Sequence, residues 1–387
     1  MSSYSLGRVP AIAAGPGRID GLGADVSLQT GGTATVLLVA DPALAGLGIT
    51  GRAEAVLSAA GHAVHRFEDV VSDPRETQVI DGAGLARRIR ADAIVALGGG
   101  SALDAAKMIA VLAATDRPIA EFRLAAAPLP ARTARLLCVP TTAGTGSETT
   151  AVAVLTSPEH AKIWYWGGPL KPDAVVLDPE LTVALPPALT AATGLDALVH
   201  AMEAATNRNR TDVTDLYALE TIRLAIRHLP AAVARPGDLD ARMGMLTAAC
   251  LAGTAIDNAG TALAHNIGHA LGSLMPVHHG KAVALAMEAS LPFVIEGNRA
   301  AFARVAEAFG IGPDPDGLPA RFTAFIDELG LDRHLPEVPD PALLAARMAA
   351  PENAAMRAST VREVRDEDLA RLAALTLARA GMTGPAS

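Results

Sequence analysis

Short strand-like segments alternate with helical segments in the first half of the chain, and this alternation restricts the possible folds most strongly. From Thr33 to about Asp178, runs such as ATVLLVAD, AVHRFEDV and ADAIVALGGGS are separated by helical stretches. The pattern is typical of βαβ units, which place parallel strands in one sheet and helices on its faces. We therefore predict an α/β fold with a mostly parallel sheet.

The pattern changes near residue 185. After LPPALTAATG, strand-like runs nearly vanish, and Ala/Leu-rich helical periodicity continues towards the C terminus. A chain of 387 residues also exceeds the size of one ordinary hydrophobic core. We predict an α/β domain over residues 1–185 and an all-α domain over residues 186–387.

Charge and composition exclude several classes of protein. The net charge of -9 and the lack of a basic stripe argue against a nucleic-acid partner. The N-terminal segment MSSYSLGRVPAIAAGPG predicts neither a signal peptide nor a membrane span. Cys138 and Cys250 lie far apart without CxxC spacing, which fits a reducing compartment. We expect a cytoplasmic protein with no membrane partner.

One glycine-rich segment, ALGGGSALDAAKMIA, runs from a predicted strand into a predicted helix. Gly98 and Gly99 would let backbone N–H groups approach a ligand closely. We expect the helix to open with Ser101 as its N-cap and with Asp104 at capping-box spacing. Such a helix N terminus favours a diphosphate, although a plain turn is the alternative.

A second segment of this kind, PTTAGTGSE, interleaves hydroxyl groups with glycines directly after another strand. Its hydroxyls belong to Thr141, Thr142 and Thr145. Two polar turns at the ends of strands of one sheet indicate a nucleotide lying across that edge. Asp41, which closes the strand VLLVAD, can accept from a ribose 2'-hydroxyl and would repel a 2'-phosphate. The cofactor prediction is therefore NAD rather than NADP.

Ionisable residues interrupt the apolar helical run GLDALVHAMEA. Asp196 and His200 are four residues apart, so they share one face of the helix. A later helical run, TALAHNIGHALGSLMPVHHGK, contains four of the ten histidines, namely His265, His269, His278 and His279. One carboxylate with several imidazoles suits a divalent iron or zinc ion. Spacing alone does not choose between His265 and His269, or between His278 and His279.

Four motifs in this order, GGGSALDAAK, PTTAGTGSE, TGLDALVHAMEA and HNIGHALGSLMPVHHG, resemble those of the iron-containing (group III) alcohol dehydrogenases. The resemblance covers nearly the whole chain and is weakest after residue 300. It implies an NAD-binding α/β domain, a helical metal-binding domain, and hydride transfer between a small alcohol or aldehyde and nicotinamide. It also implies a homodimer or higher homo-oligomer.

The resemblance implies a role for individual residues as well. The implied metal ligands are Asp196, His200, His265 and His279. His269 matches a histidine near the substrate, where it would relay a proton; a structural role is the alternative. The implied cofactor contacts, besides Asp41, are Gly98, Gly99, Ser101, Asp104, Thr141, Thr142, Thr145, Lys162 near the ribose and Leu181 on the adenine side.

Three other functions agree with parts of this pattern. A maleylacetate reductase-like enzyme resembles the family but typically lacks the full ligand set. A dehydroquinate-synthase-like lyase needs several cationic side chains for an anionic substrate, and the ligand-bearing segments offer only Lys281. A non-catalytic protein that keeps the fold is the third alternative.

Iron is the expected metal, and zinc is a second possibility because both accept carboxylate and imidazole ligands.

Overall fold

The computed structural model describes residues 4–381, which form two compact units. One unit, here called the sheet unit, comprises Arg8–Thr142 and Gly146–Ala184. The other, the helical unit, comprises residues 4–7, 143–145 and 185–381 of the described chain. None of the helices in the described chain combines the length and the apolar character needed to cross a membrane.

The sheet unit contains all strands found among the described residues. They are β1 (Ala11–Ala14), β2 (Thr35–Ala40), β3 (Ala63–Phe67), β4 (Ala93–Gly98), β5 (Arg135–Pro140), β6 (Val152–Thr156), β7 (Lys162–Trp166) and β8 (Ala174–Leu177). Six strands form one parallel sheet in the order β1-β8-β5-β4-β2-β3. The predicted α/β fold with a mostly parallel sheet is confirmed.

Helices cover both faces of this sheet because side chains alternate across each strand. These helices are α1 (Leu22–Thr30), α2 (Ala43–Gly46), α3 (Ile49–Ala59), α4 (Glu76–Ile89) and α5 (Gly100–Leu112). Leu37 and Ile94 belong to one apolar cluster with residues of α4 and α5, whereas Leu38 and Val95 belong to another with residues of α1 and α3. Strands buried on both faces account for the continuous apolar runs in the sequence.

Strands β6 and β7 form a separate antiparallel hairpin that the sequence analysis did not predict. β7 carries the aromatic run Trp164, Tyr165 and Trp166. Tyr165 is fully buried and donates a hydrogen bond to Glu76 Oε1 at 2.5 Å, whereas Trp166 is exposed. Tyr165, the central residue of the aromatic run, therefore links the hairpin to the first residue of α4.

The helical unit is built from ten α-helices within the described chain. They are α6 (Pro187–Thr206), α7 (Asp212–Ala234), α8 (Leu239–Ala259), α9 (Leu263–Leu274), α10 (His279–Ile295), α11 (Arg299–Ala308), α12 (Leu318–Glu328), α13 (Pro341–Met348), α14 (Ala354–Ser359) and α15 (Asp366–Ala380). Every residue of α6 from Thr190 to Thr206 is buried. A helix that is enclosed on all sides lies in the centre of its bundle.

A buried ammonium group joins α5 to the segment that leads into β6. Lys107 is fully buried, and its Nζ donates to the carbonyl oxygens of Ser147 at 2.7 Å and Val152 at 2.6 Å. It also donates to the hydroxyls of Ser147 and Thr150, each at 3.0 Å, and lies 3.8 Å from Asp104 Oδ1. These neighbours of the ammonium group all belong to the sheet unit.

We predict that Lys107→Met destabilises the sheet unit by about 3–5 kcal/mol, because Asp104 then loses its buried counter-charge. Urea unfolding followed by tryptophan fluorescence measures this directly, since both tryptophans of the chain lie on β7. Arg88→Met, on the exposed side of α4, is the control and should change stability by less than about 0.5 kcal/mol. Equal effects of the two substitutions would contradict the prediction.

Candidate metal centre and nucleotide-binding turns

Asp196 is the centre of a buried group of imidazoles in the helical unit. Its Oδ1 lies 3.6 Å from His265 Nε2, 3.6 Å from His279 Nε2 and 3.9 Å from His200 Nε2. One possible ligand atom from each of Asp196, His265 and His279 lies within 4.8 Å of the other two. Three helices thus contribute: α6 supplies Asp196 and His200, α9 supplies His265, and α10 supplies His279.

Close helix packing brings His279 to this group. Gly280 follows His279 in the first turn of α10, and a Cβ atom there would lie 2.1 Å from the carbonyl oxygen of Ala192 on α6. The same Cβ would lie 3.2 Å from Asp196 Cβ. Only glycine permits this approach without a shift of the backbone. The glycine of the HHG motif therefore allows His279 to reach Asp196.

The donor atoms are spaced as a bound cation requires. Metal–nitrogen and metal–oxygen bonds of about 2.1 Å in a tetrahedron place neighbouring donors roughly 3.4 Å apart. The observed separations of 3.6 to 3.9 Å from Asp196 Oδ1 are close to that value. In addition, Asp196 Oδ1 and His265 Nε2 are buried without a hydrogen-bond partner, which is costly unless an ion satisfies them. The residues therefore fit a divalent metal.

The charges within this group depend on one another. Burial acts against the Asp196 carboxylate, but the facing imidazoles outweigh burial and lower its pKa well below the ordinary value. Burial lowers the pKa of His200 to about 4, despite the opposing effect of Asp196. The neutral imidazole that results is the form able to bind a metal.

Glu203 contacts this group from the same helix, although the motif analysis did not single it out. It is 3% exposed, and its Oε2 lies 2.6 Å from His265 Nδ1. Burial acts against the charged form of His265, but Glu203 and Asp196 together outweigh it and raise the pKa of this imidazole to about 9. The sequence did contain a signal, because Asp196, His200 and Glu203 follow the i, i+4, i+7 spacing of one helix face.

His269 lies one turn beyond His265 on α9. Its ring centroid is 5.2 Å from that of His279 and 6.2 Å from that of His265. The structure therefore brings His269 to the edge of the group. His278 is the N-cap residue of α10 and immediately precedes His279.

In the sheet unit, the polar turns after β2, β4 and β5 are adjacent. The Asp41 amide donates to the carbonyl of Leu97 at 3.1 Å, and the Thr141 amide donates to that of Gly98 at 2.9 Å. A Cβ on Gly99 would lie 3.3 Å from Thr142. The chain runs from β2 outwards to β3 and then returns to the opposite side of β2 as β4, so Asp41 and Gly98 flank a topological switch point.

The helix after β4 begins earlier than predicted. Ser101 was expected as the N-cap of this helix, but α5 starts at Gly100 and the N-cap is Gly99, so that expectation is wrong. Because glycine carries no side chain, Gly100 enters the first turn and extends the helix towards the strand. The Ser101 hydroxyl instead accepts a hydrogen bond from the Asp73 amide at 3.3 Å.

Asp104 does not take part in a capping box. Its Oδ1 accepts from the Ser147 hydroxyl at 2.5 Å, and its Oδ2 accepts from the Val154 amide at 2.9 Å. These contacts tie α5 to the hairpin and direct the carboxylate into the protein. The expected capping geometry at Asp104 is therefore wrong, and its role as a cofactor contact stays a prediction.

The remaining predicted cofactor contacts belong to different elements of the structure. Lys162 on β7 forms an ion pair with Asp73, a residue with a left-handed backbone at φ 57°. Leu181 follows β8 in a short 3-10 turn and is 4% exposed within the apolar core. Thr145 belongs to the helical unit, whereas Thr141 and Thr142 belong to the sheet unit.

Comparison with known families assigns almost the whole chain. Residues 10–179 match the model described as iron-containing alcohol dehydrogenase, and residues 190–374 match that of the Fe-containing alcohol dehydrogenase family, C-terminal. The chain belongs to the iron-containing alcohol dehydrogenase family. The family prediction made from the four motifs is confirmed, as is the prediction of an oxidoreductase of the alcohol dehydrogenase class.

Individual members of the family are similar over most of their length. A choline dehydrogenase of Bacillus subtilis (strain 168) is 37% identical over 315 residues, which cover 80% of this chain and 78% of the relative. An NAD-dependent methanol dehydrogenase of Bacillus methanolicus is 35% identical over 302 residues, 78% of each chain. A crystal structure of a 1,3-propanediol oxidoreductase superposes with a TM-score of 0.88 at 31% identity, covering 97% of this chain and 100% of that one.

These comparisons support NAD and iron as the cofactors of the family. They give no support to zinc, the second metal considered from the sequence. They also favour the dehydrogenase over the reductase-like, lyase-like and non-catalytic alternatives, because the named relatives are dehydrogenases or oxidoreductases.

Proposed function

We propose that this chain is an iron-dependent, NAD-linked dehydrogenase that interconverts small alcohols and their aldehydes or ketones. The observation that carries the proposal is the buried group formed by Asp196 and three imidazoles, in which two donor atoms have no hydrogen-bond partner. Adjacent polar turns at the switch point of the sheet support the NAD part of the proposal. We keep residues 1–185 and 186–387 as the proposed nucleotide-binding and catalytic domains.

We propose that Asp196, His200, His265 and His279 hold the metal. When bound, a divalent iron ion supplies a Lewis acid that polarises the carbon–oxygen group of the substrate. The four side chains supply one negative charge and three imidazoles that bind a metal in their neutral form, so these ligands offset only half of the charge of a divalent ion. Because Asp196, His200 and His265 are buried, water competes poorly at their donor atoms.

We propose that His269 relays a proton between the substrate and solvent. Two observations support this role: its ring lies next to that of His279, and it is less deeply buried than His265. An imidazole suits the task because its ordinary pKa is near neutrality.

We propose that the cofactor diphosphate binds at Gly98, Gly99 and the N terminus of α5. Ser101, Asp104 and Lys162 are kept as proposed contacts, together with Leu181 and the hydroxyls of Thr141, Thr142 and Thr145. Asp41 would face the adenosine ribose. Its Oδ1 already accepts the Ala43 amide at 2.9 Å, which holds the carboxylate at the end of β2.

Metal removal tests the main proposal. We expect NAD reduction by a panel of short alcohols to disappear when the protein is chelated anaerobically, and Fe²⁺ to restore it more fully than Zn²⁺. The measurement is NADH absorbance, with metal content determined on the same samples. Full activity after verified metal removal would favour the maleylacetate reductase-like alternative, and absence of turnover with every metal would favour the lyase-like or binding-protein alternatives.

Replacement of Asp41 tests the choice of dinucleotide. Asp41→Asn keeps an oxygen that can accept the Ala43 amide but removes the charge that would repel a 2'-phosphate. We expect the ratio of kcat/KM for NADP to that for NAD to rise at least tenfold, or about 1.4 kcal/mol. Asp81→Asn, at an exposed position of α4, is the matched control. An unchanged ratio in the Asp41 variant would remove Asp41 from the proposed site.

We propose that the protein is a cytoplasmic homo-oligomer, with edge strand β1 in the interface. Among the strands of residues 4–381, β1 pairs only with β8, and its AIAA sequence carries no charge, with Ile12 43% exposed. The opposite edge strand, β3, carries His65 and Arg66, which discourage pairing with another chain.

Light scattering tests the assembly. We expect the purified chain to have at least twice the 39.5 kDa mass of one chain. Ile12→Lys should shift it towards the monomer, because a charge on an edge strand opposes edge pairing. Ile80→Lys, also at an exposed position, should leave the mass unchanged. A monomeric wild-type protein would contradict the proposal.

A further inference from the structure

Glu203 is held by four donors that converge on its carboxylate. Oε2 accepts from the Ala262 amide at 2.7 Å and lies 2.6 Å from His265 Nδ1. Oε1 accepts from the amides of Ala264 at 2.6 Å and His265 at 3.4 Å. These three amides open α9, a helix whose N-cap residue, Ala262, provides no capping side chain. One carboxylate from α6 therefore caps α9 and contacts its first histidine.

The contact with Glu203 determines which nitrogen of His265 is available. A carboxylate only accepts hydrogen bonds, so His265 Nδ1 must carry the proton that it donates to Glu203. The lone pair of a neutral ring is then on Nε2, the atom that lies 3.6 Å from Asp196 Oδ1 and has no hydrogen-bond partner. Capping and ring orientation thus depend on the same two oxygens.

We propose that Glu203 is a positioning residue for the metal: it fixes the ring and tautomer of His265 so that Nε2 is ready to coordinate. This inference rests on the proposed function, since it requires that Asp196, His265 and their neighbours bind a divalent ion. Asp196 and Glu203 also bring two negative charges into the helical core, and these balance the charge of a divalent cation. Carboxylates that orient a ligating histidine usually contribute about 10- to 100-fold to metal affinity.

Glu203→Gln tests the role with little change of shape. Glutamine offers one oxygen where four donors converge. Its amide nitrogen must face either the amides of Ala264 and His265, or both the Ala262 amide and His265 Nδ1. In the second arrangement Nδ1 becomes an acceptor, and the ring proton moves to Nε2, where it blocks coordination. We expect the Kd for Fe²⁺, measured anaerobically by competition with a chromophoric chelator, to rise about 10- to 100-fold.

Thr206→Val is the matched control. Thr206 lies one turn further along α6, is buried, and lines the same small cavity as Glu203. Its hydroxyl donates to the carbonyl of Met202 at 2.7 Å, with no contact to His265 among the hydrogen bonds of the described chain. We expect this variant to bind Fe²⁺ as the wild-type chain does, even if its thermal midpoint falls.

Thermal midpoints with and without Fe²⁺ separate positioning from capping. A residue that only caps α9 would lower both midpoints equally in the Gln variant and leave the Kd unchanged; that result overturns the proposal. A positioning residue reduces the increase in midpoint that Fe²⁺ produces, because ligand stabilisation depends on affinity for the folded state. If the wild-type chain binds no Fe²⁺, the proposed function itself fails. If it binds Fe²⁺ and the Gln variant binds equally well, only the role of Glu203 fails.

A measurement on the wild-type chain covers the case in which the Gln variant does not fold. In protein labelled with ¹⁵N-histidine and loaded with Zn²⁺ as a diamagnetic probe, we expect a slowly exchanging Nδ1–H signal from His265. Its contacts with the amide protons of Ala262 and Ala264 would identify it. A His265 ring without a proton on Nδ1 would overturn the proposal.

Discussion

The helical unit depends on the neutralisation of one buried carboxylate. Asp196 lies on a helix that is enclosed along most of its length, where an unpaired charge would be strongly unfavourable. Imidazoles from α6, α9 and α10 therefore surround it. Close helix packing brings them there, because Gly280 has no Cβ and the first turn of α10 can contact α6. Packing and charge thus impose the same arrangement of helices.

The candidate site of the sheet unit consists of turns at the ends of strands rather than of buried side chains. The turns that we propose to bind the cofactor lie at the ends of parallel strands, and side chains nearby connect the helix that follows one of them to the hairpin. Lys107 and Asp104 illustrate this, since both are satisfied by neighbours that connect α5 to the hairpin. These contacts hold the start of α5, and with it the glycine turn after β4, against the hairpin.

Much of the fold and of the candidate metal centre could be predicted from the sequence. Apolar runs bounded by glycine identified the parallel strands, and the four-residue spacing of Asp196 and His200 identified the helix face. The choice of His265 and His279 over their neighbouring histidines needed the family pattern, because spacing does not show which of two rings points inwards. Ser101 was misassigned because local capping rules ignore the freedom of the glycines before it, which let α5 start two residues earlier.

Other features could not be predicted because they depend on contacts between distant segments. The β6–β7 hairpin joins two short runs whose alternation is visible only after their pairing is known. The spacing of Glu203 places it on the helix face of Asp196 and His200, but its contacts could not be predicted, since the donors it binds come from residues about sixty positions later in the chain. The role of a buried carboxylate depends on its hydrogen-bond partners, and tertiary structure determines which partners it has.

The position of the donor atoms on three separate helices has a mechanical consequence. An ion that binds Asp196, His265 and His279 at once acts as a cross-link between α6, α9 and α10, in addition to helix packing and to the Glu203 hydrogen bonds that join α6 to α9. Loss of the ion would therefore loosen the ends of α9 and α10 before the rest of the bundle, because these ends carry the ligands. In the metal-free protein, backbone amides near residues 262–266 and 279–283 would then exchange with solvent faster than those in the middle of α7 or α8.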